Sequence, residues 1–408
     1  MRTTTAVLRP WALAALLALV GVNAWAATAA VTAAASAAEP IDPALDLRLN
    51  RLLRSAYDKP AQAAQALQTI RQDPKNAQQA GLILLTEGRL RVMASDTEAA
   101  ELVADKLATD PSNAGRTLLL RAEIAERRSN TDQAASLAAA ALDHLQPHCK
   151  RGPLAPPLLT QGCDFRNAWA ALRLQVRLYD SLGTLAPAEA SARSALELAQ
   201  AGHDDYLTAM SMGSLAQLSQ ALDQAEQAQR WLSQAMQIAQ GDTVGMANVK
   251  LYESVVASQR KDPVAQMQAL EEAIGFATQA DATQRIAMLQ SNLVDAYLRQ
   301  NQPAKAMAMA QRALPALLAS GERRVERTLR HNLSVAFIQL GQFEPARREM
   351  ARVDTLRSGQ QDQGIRVTEL REQGEAWAAA GQAKEALAVY HEERRLTAEV
   401  HARNREAL

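Results

Sequence analysis

The histidines and cysteines near position 150 are the residues of this sequence best suited to metal binding or redox chemistry. Cys149 and Cys163 are the only two cysteines, and His144 and His148 lie beside the first of them. Thiolate and imidazole groups suit zinc or copper, but the spacing of these four residues matches no standard metal motif. In an exported protein the simpler expectation is a disulfide, which would contribute roughly 3 kcal/mol by closing this loop. We favour the disulfide and keep the metal site as the alternative.

Two other segments combine residue types that catalysis uses. The sequence HEERR begins at His391, but Arg395 stands where a zinc protease needs its second histidine. The sequence HDDY, from His203 to Tyr206, places an imidazole beside two carboxylates, and a helix cap or a solvated turn explains it better. The chain contains no glycine-rich phosphate loop, nucleophile elbow or dinucleotide fingerprint. We therefore expect no catalytic activity of its own and no cofactor.

The composition indicates which elements must position these residues. Aromatic residues make up 4% of the chain and there are only 18 glycines, while alanine, leucine, glutamine, glutamate and arginine dominate. These are strong helix formers, so the composition predicts an all-α protein. With 408 residues the chain exceeds the length over which one compact core keeps growing. It should therefore form several domains or an elongated array of repeats.

An internal period near forty residues favours the array. Apolar and small residues recur at the same offsets before and after six turn residues, and we call this spacing the repeat frame. The turn residues are 40, 38, 40, 40 and 40 positions apart, at Gly183, Asp223, Lys261, Asn301, Gly341 and Gly381. The frame around Lys261 is the weakest copy. Upstream, the sequences DPKN (Asp73–Asn76) and DPSN (Asp110–Asn113) mark two further repeat ends, 37 residues apart. A fixed period of this length is the signature of a helical repeat protein.

The clearest copy resembles the tetratricopeptide repeat (TPR) family. Leu333 and Ser334 match the family's large–small pair, Phe337 its aromatic residue in the first helix, Gly341 its turn glycine and Ala346 the small residue of its second helix. The resemblance covers nearly the whole mature chain. It implies a right-handed α-solenoid of about nine helix-turn-helix repeats, in which the first helix of each repeat, here called the A helix, lines an inner groove.

The resemblance also implies which residues face that groove. In the family these lie ten, six and three positions before the turn residue, which in this chain gives Arg173, Arg177, Asp180, Gln217, Gln220, Asp295, His331, Arg371 and Glu375. Arg173 and Arg177 are one helical turn apart and could hold a ligand carboxylate through paired hydrogen bonds. The competing explanation is an ordinary solvated surface. A protein or peptide is the partner that such a groove implies.

The first residues have the pattern of a secretory signal peptide. Arg2 and Arg9 precede a short apolar run, Trp11–Val22, and Ala24–Ala26 forms a small-x-small cleavage site. The run is shorter than the ~20 residues that span a bilayer, which argues against the alternative of an uncleaved anchor. We expect residues 1–26 to be removed, 27–42 to be a flexible alanine-rich leader, and the mature bacterial protein to be periplasmic or secreted.

The charge of the mature chain excludes some partners. Removal of residues 1–26 takes away two arginines, so 42 of the 44 basic residues remain against 44 acidic ones, a net charge near −2. Such a balance provides no electrostatic attraction to nucleic acid or to an anionic membrane. No later stretch is long and apolar enough to cross a bilayer. We expect no nucleic-acid partner and no stable membrane insertion of the mature chain.

One insertion interrupts the predicted array. Four prolines and two glycines within residues 144–166 exclude a continuous helix there, and both cysteines bracket this loop. The predicted organisation is therefore an N-terminal group of repeats over residues 43–143, the loop, a second group over 167–400, and a helical tail over 401–408.

The charged C-terminal segment carries a second resemblance. Exported TPR arrays that end in such a helix are similar to the sensory halves of bacterial membrane-bound GGDEF diguanylate cyclases, although this chain contains no GGDEF domain. The main hypothesis is an exported scaffold that binds a protein or peptide in its groove. The alternative is the sensory region of a truncated or split signalling protein. A homo-oligomer formed through the C-terminal helix is a further expectation.

Overall fold

The structure, a computed structural model, describes residues 41–147, 149, 157–320, 323–357 and 363–406. The predicted signal peptide, most of the leader and His148 therefore lie outside the described residues. Within these ranges every long element is a helix and there is no strand. The helices are α1 (Pro43–Ala56), α2 (Pro60–Gln72), α3 (Ala80–Met93), α4 (Thr97–Ala108), α5 (Ala114–Arg127), α6 (Thr131–Leu145), α7 (Phe165–Ser181), α8 (Leu185–Ala201), α9 (Asp205–Ala221), α10 (Ala225–Ile238), α11 (Thr243–Gln259), α12 (Pro263–Gln279), α13 (Thr283–Arg299), α14 (Pro303–Ser320), α15 (Arg323–Gln339), α16 (Phe343–Thr355), α17 (Gln363–Ala379) and α18 (Ala383–Glu406).

Consecutive helices pair into nine hairpins over the described ranges, as the repeat pattern predicts. From α7 onward each A helix has 17 residues, and their first residues are 40, 38, 40, 40 and 40 positions apart. The second helices, here called B helices, are more variable, and α18 is the longest with 24 residues. It passes residue 400 without a break, so the predicted boundary between array and tail lies inside one helix. The all-α solenoid is confirmed.

The turn residues have the backbone conformation that the repeat frame requires. All six predicted turn residues adopt positive φ, from 51° at Asn301 to 73° at Gly381. This left-handed conformation lets the A helix end and the B helix begin within a few residues. It strains any residue with a Cβ, yet Asp223 and Lys261 also adopt it. The hairpin geometry, and not the residue type, therefore decides the conformation of these turns.

Small side chains let the helices of neighbouring hairpins approach closely. Ser334 and Ala346 of the clearest repeat are both fully buried, as are Ala188, Ala228 and Ala306 at the equivalent place in other B helices. Larger residues fill the remaining space, such as Phe337, which packs against the apolar clusters on both sides. Close approach maximises dispersion contacts between backbones. The predicted packing roles of Ser334 and Ala346 are thus confirmed.

The insertion is folded onto the array through the two cysteines. α6 ends at Leu145 and α7 begins at Phe165, and Cys149 and Cys163 between them form a disulfide. Both cysteines are buried in the main apolar cluster. The alternative of a metal site is wrong for these thiols, because a disulfide leaves no thiolate to bind a metal. The loop also contacts the residue at which the described part of the chain begins, since the backbone carbonyl of Leu159 accepts a 3.1 Å hydrogen bond from Ile41 N–H.

Two glycines, one in a turn and one inside a helix, provide a test of the left-handed conformation of the turn. Gly341 has φ +71° and Gly275 lies inside α12, and a Cβ at either position would meet nothing within 4 Å. We expect Gly341→Ala to lower the free energy of unfolding by about 1 kcal/mol through backbone strain. Gly275→Ala should raise it by about 0.5–1 kcal/mol, because alanine is the better helix former. Urea unfolding followed by circular dichroism measures both, and changes of the same sign would contradict the assignment.

The disulfide offers a second test. Replacing both cysteines by serine should lower the free energy of unfolding by roughly 3 kcal/mol, because the unfolded chain regains the freedom of the opened loop. The amide of Ile41, which bonds to the loop, should also exchange hydrogen faster. Urea titration and amide exchange of the oxidised protein, the reduced protein and the double variant check this. Equal unfolding midpoints in all three would show that the loop is held by packing alone.

Candidate binding groove

Four consecutive A helices enclose a cavity on the inner face of the array. The cavity has a volume of about 420 Å³, and every residue that lines it belongs to α7, α9, α11 or α13. Its apolar part consists of Val176, Met210, Leu218, Leu251 and Val255. A cavity of this size with an apolar floor and a few polar groups is typical of ligand sites. The lining of this cavity therefore comes from A helices alone, the helices that the resemblance to the TPR family assigns to the groove.

Polar side chains surround this apolar floor. Of the nine residues that the family frame predicts, the structure brings together Arg173, Arg177, Asp180 and Gln217. They lie on neighbouring faces of α7 and α9 because residues three to four apart in a helix share a face. The opposite side of the cavity carries further hydrogen-bonding groups from α11 and α13, namely Asn248, Tyr252 and Asn292.

Arg177 is already paired with a carboxylate of the protein itself. Its Nε and Nη2 atoms each donate a 2.9 Å hydrogen bond to the two carboxylate oxygens of Glu126, on α5. Burial raises the pKa of Glu126 and lowers that of Arg177, but their attraction outweighs burial, so the pKa of Glu126 is lowered and that of Arg177 is raised. The predicted paired hydrogen bonds exist, but Glu126 occupies them. The Nε and Nη2 donors of Arg177 are therefore already used within the protein.

Arg173 is the cation that remains available. Its guanidinium lies over the ring of Trp169, 5.4 Å from the centroid, and no carboxylate of the described residues pairs with it. The indole of Trp169 is held in place by a 2.8 Å hydrogen bond from its Nε1 to Ser211 Oγ. A guanidinium on an aromatic platform keeps its donors directed outward, where they can bind a carboxylate.

A carboxylate lies two helical turns from Arg173 on the same helix. Asp180 accepts a 2.8 Å hydrogen bond from Gln217 Nε2. Burial raises the pKa of Asp180, and the bond from Gln217 offsets this only in part. A cationic ligand group at this place would relieve the cost of burying the carboxylate. The cavity is therefore positive at the Arg173 end and negative at the Asp180 end.

No protein-family model matches the chain. No curated protein matches it in sequence either. The fold, in contrast, has solved counterparts. The chain is similar to the crystal structure of a Rap protein complexed with competence and sporulation factor, with 13% identity, a TM-score of 0.60, and coverage of 88% of this chain and 99% of that one.

Two further structures share the architecture. The apo form of RapI is 11% identical with a TM-score of 0.52, over 88% of this chain and 99% of that one. A signal transduction ATPase from Pyrococcus horikoshii that has a TPR sensor is 14% identical with a TM-score of 0.51, over 88% of this chain and 54% of that one. The chain has the TPR fold. At these identities the likeness concerns the fold and not the ligand.

Four other predicted groove residues lie outside the cavity. Asp295 forms an ion pair with Arg299 of the same helix, and burial raises the pKa of Asp295 in spite of it. Arg371 pairs with Glu393 of α18 at 3.5 Å, and Glu375 is exposed. Gln220 is half-buried, and its side-chain oxygen has no partner among the described residues. The structure does not bring these four residues into the cavity.

His331 was expected to be free to face a ligand, and this expectation is wrong. Its side chain is only 3% exposed. Its Nε2 atom lies 2.7 Å from Glu372 Oε2, and its Nδ1 atom lies 3.3 Å from the side-chain nitrogen of Gln373. α17 packs against α15 at this point, so His331 is covered by the next hairpin. His331 stabilises the contact between the last two repeats.

Sequence reasoning missed the whole of the cavity wall that α11 provides. Asn248, Leu251, Tyr252 and Val255 all come from the repeat around Lys261, whose frame is the weakest copy. Leu251 and Val255 stand ten and six positions before Lys261, the very positions that the family frame assigns to the groove. The signal was therefore present in the sequence, but only polar side chains had been taken as candidates.

Further chemistry is not brought together in the part of the chain that the structure describes. There, no three histidine, cysteine or acidic residues converge to hold a metal. None of the helices described is both long and apolar enough to cross a bilayer. The segment HDDY serves as a cap, because Asp204 accepts a 3.1 Å hydrogen bond from Leu207 N–H at the start of α9.

Proposed function

We propose that this protein is an exported scaffold that binds a peptide segment of a partner protein in the groove of α7, α9, α11 and α13. The observation that carries the proposal is the cavity itself, which combines an apolar floor with one cation that no described carboxylate neutralises. An extended peptide presents apolar side chains, backbone hydrogen-bonding groups and charges, and the cavity offers a counterpart for each.

The arrangement of charge supports one orientation of such a peptide. A carboxylate of the ligand would bind Arg173, and a basic group would lie near Asp180. Between them, apolar side chains of the ligand would cover Met210, Leu251 and Val255. The Rap protein, which has the same fold, is complexed with competence and sporulation factor. That protein therefore provides an example of a helical array of similar length that binds a factor.

The alternative, a sensory region of a split or truncated signalling protein, uses the same groove and differs only in the consequence of binding. It stays a prediction, as does an oligomer formed through α18. Export rests on the pattern of residues 1–26.

The groove can be tested with a photoreactive amino acid at Leu251, in the floor of the cavity. We expect it to cross-link a partner in periplasmic extract, whereas the same group at Arg230, an exposed position on the B helix α10, should not. Arg173→Ala should weaken the cross-linked complex about tenfold or more, because a charge-assisted hydrogen bond is lost. Arg230→Ala is the matched control. Equal labelling at Leu251 in both variants would contradict the groove.

Export predicts a defined mature chain. In a bacterial host the protein recovered from the periplasm should lack residues 1–26 by intact mass, and Ala26→Arg should block this cleavage. A control without residues 2–26 should stay in the cytoplasm with Cys149 and Cys163 reduced, because thiols are kept reduced there. Recovery of the uncleaved protein in the cytoplasm would contradict export.

A further inference from the structure

The first helix contacts parts of the chain that follow it by more than a hundred residues. Four polar residues spaced four positions apart along α1 and the turn after it each bond to a different A helix. These contacts join Asp46 to Arg166 of α7, Asn50 to Asp204 at α9, Arg54 to Asp242 at α11, and Asp58 to Arg285 of α13. Residues four apart lie on one helix face, so this face of α1 runs along the N-terminal ends of the four A helices.

The opposite face of α1 is apolar. Leu45, Leu49, Leu52 and Ala56 are buried against α2 and α3, in a cluster that is separate from the main apolar core. Packing therefore attaches α1 to its own hairpin and the next one. The polar contacts of the other face attach α1 to α9 and α11, and those of Asp58 attach the following turn to α13.

Asp58 caps the start of α13 from a distant part of the chain, whereas other A helices are capped by a residue directly before them. The first amides of a helix have no partner within it, and a capping side chain usually accepts from the third. Asp204 and Asp242 do this for α9 and α11, but α13 follows Ala282, which has no acceptor in its side chain. Asp58 Oδ1 instead accepts the N–H of Arg285, the third residue of α13, at 2.9 Å.

The remaining contacts strengthen this attachment. The guanidinium of Arg54 lies 3.7 Å above the ring of Tyr206 while it pairs with Asp242. The side chains of Asp58 and Arg285 are only 6% and 11% exposed, so this pair is shielded from solvent. The contact of Lys59 with Asp281 is exposed and adds little.

From this pattern we propose that α1 and the turn after it act as an electrostatic clasp. The clasp holds the first hairpin against the fourth to seventh hairpins, and the docking surface is the row of N-terminal ends of α7, α9, α11 and α13. The occupant of this surface is a segment of the same chain, chosen by charge complementarity at four successive places.

The clasp also fixes one wall of the candidate groove. Arg285 Nη1 donates a 2.5 Å hydrogen bond to Asn248 Oδ1, and Asn248 donates one of 3.1 Å to the hydroxyl of Tyr206. Asn248 lines the groove cavity. Arg173 lines both that cavity and a smaller one of about 160 Å³ between α1 and α7. Release of α1 would open this second cavity and extend the groove along α7 and α9.

The double variant Arg54→Ala/Asp58→Ala tests the clasp in the full chain, without any ligand. We expect a larger radius of gyration by X-ray scattering. We also expect amide exchange to rise about tenfold or more in α1 and in the first turns of α9, α11 and α13. The matched control is Arg48→Ala/Asp73→Ala in the same hairpin, where Arg48 is exposed and Asp73 caps only a local turn. The same rise in radius and in amide exchange in the control variant, or an unchanged radius of gyration in the test variant, would overturn the proposal.

A third substitution separates the clasp from simple capping. Ala282→Ser, added to the double variant, gives α13 its own acceptor. It should restore protection at Arg285 while α1 stays exposed and the radius stays large. Recovery of α1 as well would mean that Asp58 is only a cap, and the proposal would fail.

Salt provides a test that needs no variant, and it decides the matter if the double variant does not fold. Raising sodium chloride from about 0.1 M to 1 M shortens the screening length from about 10 Å to 3 Å. Amide exchange in α1 should rise while the helical circular dichroism of the wild-type protein stays constant. Salt screens the partly exposed pair of Arg54 with Asp242 more than the shielded pair of Asp58 with Arg285, so exchange around Arg54 that is independent of salt would overturn the clasp.

Discussion

Every hairpin of this array depends on the next one to bury its apolar face. Because aromatic residues are only 4% of the chain, the core consists mainly of alanine and leucine, and such a core is tight only where backbones approach closely. The fully buried alanines of the B helices, Ala188, Ala228, Ala306 and Ala346, show where this happens. A side chain larger than alanine at these positions would push the packed helices apart, so the close packing of the array depends on small residues outside the cavity.

The inner face satisfies much of its own charge. Arg177 is held by Glu126 and His331 by Glu372, so polar residues that could bind a ligand stabilise neighbouring repeats instead, while Asp295 pairs with Arg299 of its own helix. Pairing lowers the cost of placing charge on a partly desolvated surface, which explains why it is so frequent here. Arg173 differs because it rests on Trp169 and meets no carboxylate among the described residues. A cation that the protein leaves unneutralised beside an apolar floor is the feature most difficult to explain by stability alone.

The N-terminal hairpin supplies a helix cap that the local sequence before α13 lacks. α13 begins after an alanine, and in isolation that would be a poorly capped helix. Asp58, 227 residues earlier, supplies the missing acceptor, so the two ends of this contact can be understood only together. Groove residues such as Asn248 are connected to the same contact through Arg285. The entrance of the groove and the position of α1 are thus parts of one polar network.

Local features of the sequence determined the repeat frame. Apolar spacing and turn chemistry act over a few residues, so the helix pairs, the turns at Gly183 to Gly381 and the alanine contacts could be predicted from the period alone. The choice of partner for each charged side chain could not. It depends on which helices the superhelix brings together: Glu126 meets Arg177 across 51 residues, and Asp46 meets Arg166 across 120. Predicted groove positions such as His331 therefore became buried contacts, and apolar ones such as Leu251 became the floor. The sequence by itself determined the hairpins, whereas only the tertiary structure decided which side chains remain open to a ligand, because burial and pairing arise from contacts between distant hairpins.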